Sequence, residues 1–164
     1  GAAVGSPLTQ YLRLPVIPTV LGFDPRMQFL HDEDMLGVLE KATVDSIPGT
    51  FNVAGDGILK LSQVVRRLGR PTLPVPRFAF AQAGRALRQS GLVDFSHEQV
   101  DFLTHGRGVD TTRMRTVLGY EPRYDTAGAL ADFAASVPPG VLGADRIEAA
   151  ERFAMTTLSG GRNA

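Results

Sequence analysis

The chain has 164 residues, 43% of them hydrophobic, and a mean hydropathy near zero, which suits a single domain able to bury roughly 70% of its unfolded surface. Seventeen basic and seventeen acidic residues cancel, so no global field steers the protein toward nucleic acid or anionic lipid, and any charged site has to be local. The absence of cysteine excludes disulfides and thiolate metal sites; with no signal peptide or long apolar run in the sequence, the cytoplasm is the expected location.

In chain order, Ser6-Pro7 is an N-cap followed by proline at the first helical position and predicts a short helix over 7–12. Pro15 and Pro18 interrupt the chain beyond it. Thr19-Val20-Leu21 and Met27-Gln28-Phe29-Leu30 flank the turn signal Gly22-Phe23-Asp24-Pro25, which fits a small hairpin or two short strands. His31-Asp32-Glu33-Asp34 supplies an N-cap and first-turn acids to a helix whose Met35, Val38, Leu39 and Ala42 form one apolar stripe.

Gly49 to Gly69 is the stretch around which the rest is organised. Phe51 and Val53 alternate with Thr50 and Asn52 as in a strand, Gly55-Asp56-Gly57 makes a turn, and Leu61, Val64, Val65 and Leu68 recur at helical spacing up to Gly69. A strand entering a helix through a glycine turn is half of a βαβ unit, which implies a parallel sheet. Few other segments qualify as its strands. Pro71 to Pro76 is a proline-spaced edge strand or a lead into a helix over 77–89.

Ser96 with Gln99 is a capping box that places a helix over 97–104, closed by Gly106 and Gly108. Asp110 or Thr111 caps a segment over 112–118 with Met114, Val117 and Leu118 inward, Gly119 as its stop and Tyr120 packing back on its end. A helix over 126–135 carries Leu130 and Phe133. Pro138-Pro139-Gly140 is the best linker signal, dividing a main unit at 1–137 from a tail at 138–164 with one weakly amphipathic helix through Ile147, Ala150, Ala154 and Leu158.

Three blocks in fixed order resemble the C-terminal half of extended short-chain dehydrogenase/reductases, the NAD-dependent nucleotide-sugar epimerases and dehydratases. Gln28-Phe29-Leu30-His31-Asp32-Glu33-Asp34 is similar to the family's Arg-Asp-Phe-Ile-His-Val-Asp-Asp. Gly49-Thr50-Phe51-Asn52-Val53-Ala54-Gly55 is similar to its Gly-Val-Tyr-Asn-Val-Gly-Ser-Gly strand. Asp110-Thr111-Thr112-Arg113-Met114-Arg115 through Leu118-Gly119-Tyr120-Glu121-Pro122 resembles its Asp-Thr-Ser-Lys-Ala and Leu-Gly-Trp-x-Pro signature. The resemblance spans about residues 1 to 135 and is closest to UDP-glucose 4-epimerase-like proteins of actinobacteria.

This resemblance implies an α/β fold, specifically the helix-rich, substrate-binding C-terminal part of an extended Rossmann-type fold with few short strands. It implies a parent enzyme that uses NAD on a nucleotide sugar, and an N-terminal Rossmann half as partner. Family members hold NAD at a glycine-rich strand-to-helix turn and use a Tyr-x-x-x-Lys pair. Neither Gly1 to Gly5 nor Gly55-Asp56-Gly57 has that glycine spacing, and Tyr11, Tyr120 and Tyr124 lack a lysine four residues on. Gly1-Ala2 matches the end of the family's Asn-x-x-Gly-Pro segment, so the chain reads as a fragment of a longer enzyme, with no catalytic residue, no cofactor and no turnover expected of it alone.

The resemblance further implies a phosphate-binding arginine just before the Phe-Leu-His block. Met27 stands at that position here, and Arg26 one residue earlier is the candidate, with Gln28 beside it in the same motif. Arg107, between Gly106 and Gly108, is the second candidate, because flanking glycines admit a phosphate closely. The substrate-binding set is therefore Arg26, Gln28 and Arg107. His31 with its three acids reads as a structural helix start rather than a metal site, and Asn52 as a local bond within the strand or its turn. Arg66, Arg67, Arg70, Arg77, Arg85 and Arg88 read as solvated faces rather than a nucleic-acid platform, because no aromatics interleave them. The alternative to the enzyme reading is a non-catalytic binding or assembly module on the same half-fold. Neither a nucleic acid nor a membrane is expected as partner, whereas self-association into a homo-oligomer is, through an exposed strand edge and apolar helix faces.

Overall fold

The computed structural model describes residues 6–79 and 97–140. The expected helix over 77–89 is helical at 77–79 and otherwise lies outside the described residues, as do the Ser96 cap and the helix expected in the tail. The element order is α1 (Pro7–Leu12), β1 (Ile17–Val20), β2 (Arg26–Met27), α2 (Asp32–Val44), β3 (Leu59–Lys60), α3 (Leu61–Arg67), β4 (Thr72–Val75), α4 (His97–His105), α5 (Thr112–Thr116) and α6 (Thr126–Ser136).

The strands form two pairs. β1 runs parallel to β4, with Ile17 opposite Thr72 and Val20 opposite Val75, while β2 is antiparallel to β3. The two short strands flanking Gly22 to Pro25 therefore exist, but they do not pair as a hairpin. Asp24 is drawn instead to the start of α3, where its carboxylate accepts from the backbone N–H of Ser62 at 2.9 Å and from the Ser62 hydroxyl at 2.8 Å. The proline-spaced stretch is an edge strand, β4, as its composition demanded.

Residues 50–54 depart from expectation. They keep the expected alternation, with Asn52 exposed between half-buried Phe51 and Val53, but they belong to no ladder. Among the described residues none of their backbone groups bonds to another backbone group, and the next bond in the chain is Gly55 N–H to Phe29 O at 2.8 Å. A β conformation becomes a strand only beside a partner. Asn52 does not bond locally either; its side-chain amide donates to Asp110 O, 58 residues away, at 3.2 Å.

The main core gathers α1, β1, β3, α3, α4 and α6 around Ile17, Val20, Met27, Val64 and Val65. At its edge lies a charge that the sequence pattern had put in solvent. Arg70 is 6% exposed and donates from Nη1 to Arg13 O at 2.9 Å and Leu14 O at 2.8 Å, and from Nη2 to Pro138 O at 3.2 Å. Those carbonyls follow the C-terminal ends of α1 and α6, and Arg70 itself follows the end of α3. Carbonyls beyond two helix C-termini, each end carrying partial negative charge, thus hold one guanidinium that has no carboxylate partner among the described residues. Burial pulls its pKa down without changing its charge state. Gly140 packs directly on the Gly69 carbonyl, leaving no room for a side chain there, so Pro138 to Gly140 lies against this core.

A smaller cluster joins α2 to α5 through Val38, Met114 and Leu118, with Phe51, Val53 and Tyr120 against it. The stripe predicted on α2 is only half inside. Val38 is buried and Ala42 half-buried, but Met35 is 42% and Leu39 55% exposed. Val117, expected inward, is exposed; it is the C-cap of α5, still bonded through its N–H to Arg113 O at 3.0 Å, and the cluster takes Met114 and Leu118 from either side of it. The inward face of α2 instead carries Asp34, which is fully buried and accepts from Tyr120 Oη (3.0 Å), Arg123 N (2.8 Å) and Tyr124 N (3.1 Å).

Candidate functional site

β2 and the segment after α4 bring together residues that are 81 positions apart. Arg26 forms an isolated parallel bridge with Gly106, and Arg107 N–H donates to Arg26 O at 2.9 Å. Gly106 is obligatory at this crossing: its φ is +74°, and a Cβ would overlap the backbone of Arg26. Two of the three predicted residues, Arg26 and Arg107, therefore sit on adjacent backbone and are both exposed.

Neither arginine has a carboxylate partner among the described residues. Arg107 lies over the Phe102 ring at 5.8 Å, which fixes the guanidinium without neutralising it. Contrast Arg115, whose guanidinium is held by Asp56 at 2.7 Å and Glu121 at 2.8 Å and whose pKa rises, chiefly through its bond to Glu121. The Arg26 and Arg107 pair is thus a local positive charge on a chain that is neutral overall.

Gln28 has a different position. Its side-chain N–H donates to Gly55 O at 3.0 Å and its side-chain oxygen accepts from Val109 N–H at 3.0 Å. The amide is spent on two backbone segments, so Gln28 braces the 106–110 segment and the Gly55 turn against β2. Gly108 lies beside that amide and beside the exposed Ile58. Asp110 closes the segment, its carboxylate accepting from Thr112 N–H at 2.8 Å and the Thr112 hydroxyl at 2.6 Å. These bonds hold its pKa below the ordinary aspartate range.

The Gly55-Asp56-Gly57 turn cannot receive a dinucleotide pyrophosphate. Gly55 is buried with its Cα against the Tyr124 and Phe29 carbonyls. Asp56 O accepts from Thr126 N–H at 2.7 Å, and Gly57 O accepts from the Thr126 hydroxyl at 2.9 Å. The N-terminus of α3 beyond it already holds the Asp24 carboxylate. The turn is a structural connection that seats α6, and it does not fit a dinucleotide pyrophosphate. The tyrosines fit catalysis no better. Tyr11 Oη donates to Pro18 O at 2.7 Å, Tyr120 to Asp34 at 3.0 Å and Tyr124 to Glu33 at 3.2 Å. Their pKa values all move up, through burial for Tyr11 and Tyr120 and through the Glu33 bond for Tyr124. A phenol exchanging protons near neutrality requires the opposite shift.

His31 caps α2 through Nδ1, which accepts from Glu33 N–H at 3.2 Å; it stacks on Tyr124 at 3.7 Å and reaches Asp132 through Nε2 at 3.3 Å. It borders a cleft of about 100 Å³ between α1 and α6 that contains none of Arg26, Gln28 or Arg107. Asp34 and Arg70 are the structural anchors that sequence reasoning missed. A single acid at the third position of an acidic helix start, or one arginine among six, carries no pattern that marks it as buried.

No family model matches the sequence. Over 133 residues the chain is 44% identical to an uncharacterized protein of Mycobacterium tuberculosis strain H37Rv, a match covering 81% of this chain and 35% of that protein, and it matches a Mycobacterium bovis protein equally. A second uncharacterized M. tuberculosis protein is 26% identical over 140 residues, covering 84% of this chain and 15% of its own length. The chain spans about a third of the length of the first of these curated relatives. Among solved structures, UDP-N-acetylglucosamine 4-epimerase from Bacillus cereus superposes with a TM-score of 0.51 over 81% of this chain and 43% of that one, at 13% identity. The likeness is one of fold: a mixed α/β arrangement similar to part of an epimerase.

Proposed function

We propose that this chain is the substrate-binding part of a longer NAD-dependent enzyme acting on a nucleotide sugar, of the epimerase or dehydratase type. Arg26 and Arg107 bind the phosphate groups, and Gln28 positions the segment that carries Arg107. The observation that supports this reading is the β2 crossing at Gly106, which sets two exposed arginines without acidic partners side by side. An arginine fork suits phosphate oxygens, and the exposed Ile58 offers an apolar contact to the organic part of the ligand. The oxidation and reduction belong to NAD held by another part of the longer protein.

The test is titration of the chain with uridine diphosphate, read by calorimetry, with inorganic phosphate as the control for charge alone. Arg26→Ala and Arg107→Ala are each expected to weaken binding about tenfold, the scale of one charge-assisted hydrogen bond, and lysine at either position to restore only part of it. Uridine diphosphate binding that survives the double variant, or none by the unaltered chain at millimolar ligand, overturns the proposal. The chain alone is expected to show no NAD-dependent turnover of a nucleotide sugar, and turnover would place the catalytic groups within it.

A further inference from the structure

We propose that the cleft between α1 and α6 is a second ligand site, one that takes a small apolar molecule carrying a single ammonium group. Neither Arg26 nor Arg107 lines this cleft, which is thus independent of the phosphate site proposed above.

The walls set the body of the ligand. Leu12, Leu130 and Phe133 line the cleft and are buried members of the main core, whereas Leu8 and Phe29 are half-buried and pack against it. Between these two helices the core reaches the surface. The volume of about 100 Å³ is of the order at which an apolar cavity takes one ring or a short chain. A ligand of that size removes the exposed part of these walls from water, which favours binding.

Charge sets the head group. His31, Asp32 and Asp132 line the same cleft, and among the described residues no lysine or arginine does. Both nitrogens of His31 are engaged: Nδ1 accepts from Glu33 N–H at 3.2 Å, which leaves the ring proton on Nε2, 3.3 Å from the Asp132 carboxylate. One face of the ring lies on Tyr124 at 3.7 Å. The imidazole therefore fixes the Asp132 carboxylate without cancelling its charge. That side chain is 61% exposed and has no lysine or arginine partner among the described residues. An oriented anion at the mouth of an apolar cleft attracts a cation and repels a second anion. An ammonium offers only donors, and an ionised carboxylate only accepts. A bare metal ion is the poorer occupant, since no metal-binding group of three ligating side chains occurs among the described residues. With neither ring nitrogen free to take a proton, His31 positions Asp132 and does not act as a base.

The probe is phenylethylamine, added to the isotope-labelled chain while the amide resonances are followed by NMR. Binding in the millimolar range is expected for a ligand of this size, with the largest shifts at Leu12, Ala129, Leu130 and Phe133. Phenylethanol keeps the ring and loses the charge, and is expected to bind about tenfold more weakly; phenylpropionate should not bind. Ethylamine, the charge without the ring, should leave these resonances in place. Asp132→Asn retains an oxygen for the Nε2–H of His31 and is expected to weaken the amine about tenfold while leaving the alcohol unchanged. Glu40→Gln, at an exposed carboxylate on α2 outside the cleft, should change neither. Circular dichroism checks that both variants stay folded, and the comparison of the four probes on the unaltered chain decides the matter if Asp132→Asn does not. No shifts at the cleft residues with millimolar amine, an alcohol that binds as tightly as the amine, or equal effects of the two substitutions overturns the proposal.

Discussion

The two hydrophobic clusters are built around one buried charge each, yet one is closed and the other open. In the larger cluster Arg70 gathers the ends of α1, α3 and α6, and the apolar stripes of α3 and α6 are covered by the chain itself. In the smaller, Asp34 gathers Tyr120, Arg123 and Tyr124 under α2, but half of the α2 stripe faces outward. A buried cation at helix C-termini and a buried anion on backbone N–H groups solve the same problem, which is to satisfy loop backbone inside a small fold. The difference teaches that stability and completeness separate: the Arg70 region is expected to hold the fold, while the Asp34 region is expected to hold only a local shape.

Arg70→Met should have the largest effect. It keeps the apolar stem but removes the donor from three carbonyls, that of Leu14 buried and those of Arg13 and Pro138 partly so; at about 1–3 kcal/mol for a buried group left unpaired, a loss of about 3 kcal/mol is expected in denaturant unfolding. Arg70→Lys should recover little, because one ammonium at the end of a flexible stem cannot reproduce a fork that spans Arg13, Leu14 and Pro138. A lysine variant as stable as the parent would mean that charge alone holds the junction.

Asp34→Ala should cost about 2 kcal/mol by the same reasoning, but with a local signature. The amides of Arg123 and Tyr124 should lose hydrogen-exchange protection while those of α3 and α6 keep theirs. Equal loss everywhere would show that the two clusters unfold as one.

Legibility in the sequence divides along the same line. The helices came through because their signals are local: Ser6 caps α1, Asp125 caps α6 by accepting from Gly128 N–H at 2.6 Å, and Gly69 and Gly119 adopt positive φ at helix ends. The strand over 50–54 was legible as an extended alternation, but strand status depends on a partner elsewhere, which alternation cannot report. For α2 the period identified the correct stripe, and only the geometry of α5 decided which half of it is covered. At the candidate site, Arg26 was singled out by resemblance and Arg107 by its flanking glycines; the Gly106 crossing that unites them is a long-range contact with no local trace. The bracing role of Gln28 was invisible for the same reason, since its partners Gly55 and Val109 lie 27 and 81 residues away.

A glycine in the smaller cluster gives a more modest test. Gly37 sits inside α2, where alanine ordinarily stabilises a helix by about 1 kcal/mol. Here a Cβ would run into the Tyr120 ring, coming within 2.9 Å of Cε2. Gly37→Ala is therefore expected to be neutral or to destabilise by about 1 kcal/mol, and the same change in a Tyr120→Leu background to stabilise. The coupling between the two substitutions, measured as a double-mutant cycle, reports how firmly Asp34 holds Tyr120 in place. No coupling would mean that the tyrosine swings away freely.

The smallest effect should be electrostatic and confined to α5. The Asp110 carboxylate is held below its ordinary range by its bonds to the Thr112 hydroxyl and N–H. A group whose folded pKa is depressed contributes stability above its unfolded value, near 3.9, and loses it as pH falls through the lower folded value. The Thr112 amide resonance should therefore be constant near neutrality and shift only below about pH 4. Asp110→Asn, which can still accept from Thr112 N–H, should abolish that shift and leave the amide in its capped position at every pH. If the resonance of the asparagine variant still moves over the same range, the titrating group is another carboxylate, and the cap is not what holds the 106–110 segment beside Arg26.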